Sequence, residues 1–230
     1  DDFAGLEFVV CGAEKVREET RHTFTTEFAG ILLLEGFGAT EASPVVAVNS
    51  PVSNRHGTVG QLLPGVETRI EKVPGIDRGG RLYVRGPNVM AGYLNETTGA
   101  IDPPVDGWHD TGDIVELDPD GFVVILGRVK RFAKIGGEMV SLAAVEGFAE
   151  AVWPEGRHAV VSVPDPRKGE RLVLVTDRRD ADVAALAAWA RDHGAPELAV
   201  PKKIIKVLEL PVLGTGKTDY VAIQRMAEAA

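Results

Sequence analysis

Apolar and polar positions follow two different grammars along these 230 residues. Residues 13–28 are polar and charged, with Val16, Phe24 and Phe28 near helical spacing, which predicts a surface helix. Ile31-Leu32-Leu33-Leu34 is a short apolar run ending before Gly36, the pattern of a buried strand. A glycine-bracketed loop follows, Glu35-Gly36-Phe37-Gly38-Ala39-Thr40-Glu41. Between Gly57 and Gly127, strand-like runs at 66–70, 81–85, 114–117 and 122–126 alternate with turn signals. The clearest of these is Asp118-Pro119-Asp120-Gly121, which predicts a hairpin turn. Many short strands in a row imply a small barrel-like or sandwich-like subdomain.

Beyond Lys130 the pattern lengthens. Ser141 caps a helix running to about Trp153, with Glu146 on its second turn. Strands at 158–163 and 171–176, a helix at 182–193, a strand at 203–208 and a helix from Thr218 to the end complete the chain. The expected fold is therefore α/β plus α+β, with residues 1–128 closing one domain and 129–230 forming a compact α+β domain. A helix and a buried strand with no visible partner strands cannot close a sheet, so much of the first domain is expected upstream of this chain.

Composition changes this picture little. The chain is 44% hydrophobic, 26% charged and 6% aromatic. Its net charge of −9 argues against nucleic acid as a partner. No apolar run reaches the ~18 residues that span a bilayer, and Asp1-Asp2-Phe3 does not read as a signal peptide. A single cysteine, Cys11, excludes an internal disulfide and fits a reducing compartment, so a soluble, cytoplasmic piece is expected. Cys11 reads as a small packed hydrophobe, Trp153 and Trp189 as core or boundary residues, and the five histidines lack metal-ligand spacing.

Four segments have chemistry to offer, and each also has an ordinary reading. Gly36, Phe37, Gly38, Thr40 and Glu41 allow close backbone approach to a ligand, a hydroxyl for phosphate and a carboxylate for Mg²⁺, or simply make a strand-end turn. Trp108-His109-Asp110-Thr111-Gly112-Asp113 sets carboxylates beside a turn, suited to the paired hydroxyls of a ribose. The stretch from Gly127 to Glu138 gathers four of the 25 basic side chains beside Gly136-Gly137, as a phosphate or pantetheine site or as a solvated linker. Leu213-Gly214-Thr215-Gly216-Lys217 sets a lysine near a helix N-terminus, a setting suited to anions but without P-loop spacing.

In this order the segments resemble the adenylate-forming superfamily of acyl-CoA synthetases, luciferases and nonribosomal adenylation domains. Residues 36–41 resemble its aromatic-Gly-x-Thr-Glu motif, and 80–86 through Gly92-Tyr93-Leu94 its Gly-Glu-Leu…Gly-Tyr motif. Residues 108–113 resemble the Thr-Gly-Asp motif, 127–130 the hinge, and 214–217 the Asn-Gly-Lys motif, with Thr215 where Asn is common. Within the superfamily, residues 34–44, 131–142 and 196–201 are similar to acyl-acyl-carrier-protein synthetases fused to lysophospholipid acyltransferases.

This resemblance implies ATP/AMP and Mg²⁺ as cofactors, and a fatty acid passed to acyl carrier protein, or to CoA, before lysophospholipid reacylation. Phe37 would stack on adenine, with Gly12-Ala13-Glu14 opposite; Thr40 would bond the α-phosphate and Glu41 would hold Mg²⁺. Asp113 and Arg128 would take the ribose, and Lys217 would bridge the carboxylate and α-phosphate. Lys130 would be the hinge of a mobile domain, and Gly136 and Gly137 would line the thioester channel after rotation. Lys130, Arg131, Lys134, Lys202 and Lys203 are candidates for docking an acidic carrier, or merely solvated charges. The family's Ser/Thr/Gly-rich phosphate loop does not occur here, so the chain alone is expected not to adenylate efficiently. The remaining readings are an acyl-CoA synthetase piece or a carrier-docking module without catalysis. Inner-membrane association of a parent protein is likewise implied only by the resemblance.

Overall fold

A computed structural model describes residues 5–230; the opening Asp1-Asp2-Phe3 lies outside them. Backbone contacts divide the chain into two units, Asp1–Val129 and Lys130–Ala230.

In the first unit, β1 (Phe8–Cys11) runs parallel to β2 (Leu32–Gly38), in register from Phe8↔Leu32 to Cys11↔Glu35. The surface helix α1 (Glu18–Glu27) joins them and buries no residue. It starts later than the pattern predicts, because Ala13 has a positive φ of 72° and Arg17 is extended. β3 (Val45–Val48) pairs antiparallel with the other side of β2, and β4 (Gln61–Leu62) follows it. The strand expected to lack partners therefore has one on each side, which corrects that expectation.

A second sheet is built from β5 (Glu67–Glu71), β6 (Gly80–Arg85), β9 (His109–Leu117) and β10 (Val123–Arg128), with a small hairpin β7 (Tyr93–Leu94)–β8 (Ile101–Asp102) between β6 and β9. Its order, β10-β9-β6-β5, is an open antiparallel path and not a closed barrel. Asp118 accepts from the amides of Asp120 and Phe122, each at 2.9 Å, and so turns β9 into β10 as the Asp-Pro-Asp-Gly run predicts. Phe37, Val46 and Ala47 of the first sheet share one core with Leu82, Val84, Val115 and Val123 of the second.

The second unit opens with the hairpin β11 (Phe132–Ile135)–β12 (Glu138–Ser141), followed by α2 (Leu142–Val152), β13 (His158–Asp165), β14 (Gly169–Thr176), α3 (Val183–Asp192), β15 (Lys203–Lys206) and α4 (Tyr220–Ala229). Ser141 and Asp182 cap α2 and α3 by accepting from amides of the first turn. Strand alternation gives the sheet two cores. Val160, Leu172 and Leu174 meet Leu142, Val145, Ala149 and Leu186 on one face. Val161, Val163, Val173 and Val175 meet Leu210, Ile223 and Ala227 on the other. Trp153 is buried, as its helix position predicts. No described helix is long and apolar enough to cross a membrane.

Candidate active site

The site in the first unit starts at the end of β2. A Cβ on Gly38 would lie 2.1 Å from the Pro44 carbonyl oxygen, so only glycine lets the chain fold back here. The Ala39 amide donates to that same carbonyl at 2.8 Å, and the short 3-10 turn Thr40–Ala42 follows. Asn88 clamps this turn, its Nδ2 donating to the carbonyls of Ala42 and Val45, each at 2.9 Å. Thr40 is left exposed and Glu41 half-buried.

The Tyr93 hydroxyl, from β7, donates to Glu41 Oε1 at 2.6 Å. That bond, its own backbone amide, and the nearby His109 and Arg128 hold the Glu41 carboxyl below the usual range, against a smaller opposing effect of burial. Glu41 is thus kept ionised.

β9 builds the second wall. Thr111 Oγ1 donates to the Leu82 carbonyl at 3.0 Å and accepts from the Asp113 amide at 3.1 Å. Arg81 grips both oxygens of Asp110, which also accepts from the Gly112 amide. Asp113 is only 4% exposed, and Arg128, its register partner on β10, donates from Nε to Oδ1 at 2.9 Å. The other oxygen, Asp113 Oδ2, is buried with no hydrogen-bond partner among the described residues. A buried acceptor left unpaired costs free energy unless something donates to it, so a hydroxyl donor suits this oxygen chemically; Arg21 Nε and Asn88 Oδ1 are likewise buried and unpaired among the described residues. The Arg128 side chain is 64% exposed and free to reach a ligand as well.

The parallel strands bring Gly12, Ala13 and Glu14 to the same end as residues 36–38: a Cβ on Gly12 would lie 3.1 Å from the Gly36 carbonyl oxygen. All of Gly12, Ala13 and Glu14 are exposed. Phe37 is not an open platform, because it is only 9% exposed and belongs to the shared core. Nearby Cys11 is half-buried, and burial followed by the Glu35 carboxylate pushes its thiol pKa up, the opposite of an activated thiolate.

The other residues singled out in the sequence lie on the second unit. Lys130 is exposed on the 3-10 turn Val129–Arg131. Gly136 and Gly137, at φ +60° and +95°, form the two-residue turn of the β11–β12 hairpin, not a flexible linker, with the Gly136 amide donating to the Lys168 carbonyl at 2.8 Å. Lys217 is exposed on a tight turn in which the Leu213 amide donates to the Lys217 carbonyl at 2.7 Å. The helix after it begins at Tyr220, and Asp219 takes the amides of Val221 and Ala222. Those amides are therefore occupied, which corrects the expectation of an anion-binding helix end beside Lys217.

Among the expected carrier-docking cations, Arg131 is withdrawn into an ion pair with Glu146, Lys202 is paired with Glu197, and Lys203 bonds the carbonyl of Ala230. Lys130 and Lys134 stay exposed. Asn88, Tyr93 and His109 are site residues that the sequence reading did not select. Only Tyr93 and His109 carried a signal, by sitting inside the recognised motifs.

The family model of AMP-binding enzymes matches residues 1–94. A long-chain-fatty-acid–CoA ligase of Yersinia pestis is 34% identical over 94% of this chain and 39% of its own length. A feruloyl-CoA synthase of an Amycolatopsis species is 31% identical, over 94% of this chain and 45% of its own. The crystal structure of ATP-bound MatB from Rhodopseudomonas palustris superimposes with a TM-score of 0.80 at 28% identity, over 95% of this chain and 45% of that one. The chain belongs to the AMP-binding enzyme superfamily, whose adenylate-forming ligases it also resembles in fold. It spans 39% and 45% of the length of these two curated relatives.

Proposed function

We propose that the protein containing this chain is an ATP-dependent acid–thiol ligase that activates a fatty or aryl carboxylic acid as its adenylate and passes the acyl group to CoA. The observation that carries this reading is the buried, unpartnered Asp113 Oδ2 beside an exposed Arg128. An ionised carboxylate oxygen accepts only, so it suits a sugar hydroxyl and not a phosphate. Thr40 is available to the α-phosphate, and the 12–14 and 36–38 segments to the adenine. Glu41, held ionised by Tyr93, suits Mg²⁺. No described group of three or more His, Cys, Asp or Glu residues gathers around a metal, so the cation would arrive with phosphates and water and need one carboxylate. Lys217 supplies positive charge to the acid and α-phosphate during adenylation. Lys130 acts as the hinge of a mobile second unit, and the Gly136-Gly137 turn replaces Lys217 for thioester formation.

CoA is favoured as acceptor by the names of the relatives and by the withdrawal of Arg131 into its buried pair with Glu146. Transfer to acyl carrier protein is the second reading, carried by the similarity of residues 131–142 and 196–201 to acyl-carrier-protein synthetases.

The test is acid-dependent ATP–pyrophosphate exchange in the full-length protein, across fatty and aryl acids, with Lys217→Ala alongside. Exchange that drops about 10²–10³-fold in the variant supports the reading. No exchange with any acid removes it. Thioester formation with CoA or with carrier protein then separates the acceptors.

A further inference from the structure

We infer that Arg131, Glu146 and Tyr220 form a positioning unit that holds the Lys217 turn in place for adenylation, an assignment that rests on the proposed role of Lys217. Glu146 projects from α2, and its Oε1 accepts from Arg131 at 2.6 Å, from the Val160 amide at 2.8 Å and from the Tyr220 hydroxyl at 3.1 Å. Arg131 also donates to the Val160 carbonyl at 2.8 Å and lies 3.9 Å above the Tyr220 ring. Both charged side chains are largely buried, at 17% and 12% exposure.

The location explains what the trio does. Among the described residues β13 pairs only with β14, so it is an outer strand of the sheet. A strand edge leaves amides and carbonyls unpaired. Glu146 and Arg131 take both backbone groups of Val160 and so close that edge. In doing so they tie α2, on one face of the sheet, to α4 on the other. Tyr220 is the first residue of α4, three residues after Lys217.

The Lys217 turn cannot fix its own position. Its bonds are local: Gly216 amide to Leu213 carbonyl at 2.8 Å, Leu213 amide to Lys217 carbonyl at 2.7 Å, and Asp219 amide to Pro211 carbonyl at 2.9 Å. Residues 212–217 are exposed. The turn hangs between buried Leu210 on its incoming side and Tyr220 on its outgoing side. Leu210 is held by apolar packing, which has no direction, whereas the Tyr220 hydroxyl bond and the overlying guanidinium set an angle. A buried ion pair adds little net stability over an apolar replacement, so geometry is what this arrangement supplies.

Tyr220→Phe and Glu146→Gln, made in the full-length protein, test the inference, because Lys217 serves adenylation and not thioester formation. Phenylalanine keeps the ring under Arg131 and removes only the hydroxyl, and thermal melting checks that each variant is folded. The expected result for Tyr220→Phe is an ATP–pyrophosphate exchange kcat lowered about tenfold with the KM for ATP unchanged, the effect of one bond to a charged group. Thioester formation from a supplied synthetic acyl-adenylate stays at the unsubstituted rate. Equal exchange in Tyr220→Phe and the unsubstituted protein would overturn the inference. So would a parallel fall in both half-reactions, which would mean a structural role only. Absence of exchange in the unsubstituted protein removes the adenylation reading itself, and this inference with it.

Discussion

Asp113 and Glu146 are both buried carboxylates facing an arginine, yet their surroundings differ in kind. Glu146 receives an arginine, an amide and a phenol on one oxygen, and its Arg131 is itself turned inward. Among the described residues Asp113 receives Arg128 on one oxygen and nothing on the other, and Arg128 reaches out to solvent. The first arrangement has its charged groups engaged, and the second leaves one acceptor open. Burial and an ion pair do not by themselves distinguish architecture from binding; the contrast here lies in an unpaired acceptor beside an exposed arginine.

The largest effect that separates the two should follow from truncation. Glu146→Ala leaves Arg131 and Val160 without their acceptor and should destabilise the second unit by about 3–5 kcal/mol. Asp113→Ala leaves an exposed Arg128 able to turn to water and should cost under about 1 kcal/mol. Urea unfolding of both variants measures the contrast, and similar losses would break it. A smaller effect is expected in the first unit alone. Tyr93→Phe should weaken binding of Mg²⁺–nucleotide about fivefold with no comparable change in melting temperature, the size of one hydrogen bond. Calorimetric titration with and without Mg²⁺ reads it, and an equal loss in both conditions would detach Tyr93 from the metal.

The smallest effect is a difference in sign with pH. Glu41 titrates below its usual 4.5 in the folded state, so its contribution is present above that value and is lost as pH falls through the folded pKa. Burial, opposed by Arg131 and the Val160 and Tyr220 bonds, raises Glu146 above 4.5. The native state then holds its proton longer than the unfolded chain, and stability falls as pH rises from 4.5 through the folded pKa. Glu146→Gln should remove that downward slope, measured as unfolding free energy at successive pH values; an unchanged slope would assign it to another group.

Local chemistry was legible in the sequence and distant partnership was not. The Ser141 cap and the Asp118 turn act within a few residues, so the pattern found them. β3 was missed because it follows directly on a proline, which reads as a turn, and β1 was not read as a strand either. The β11–β12 hairpin was hidden in a basic run that resembled a solvated linker. Arg131 was read as a surface cation because its partners lie 15 and 29 residues away, where no sequence pattern points. The motifs pointed to Asp113 and Arg128, but the burial of Asp113 Oδ2 comes from strand pairing that no local pattern encodes.

That oxygen offers the most direct test. AMP and its 2′-deoxy and 3′-deoxy analogues would be titrated calorimetrically into the full-length protein and into Asp113→Asn. If Asp113 takes the ribose, loss of a hydroxyl weakens binding by about tenfold or more in the unsubstituted protein and much less in Asp113→Asn. Equal losses in both proteins would mean that Asp113 does not touch the sugar, and the nucleotide-site reading of this chain would be contradicted.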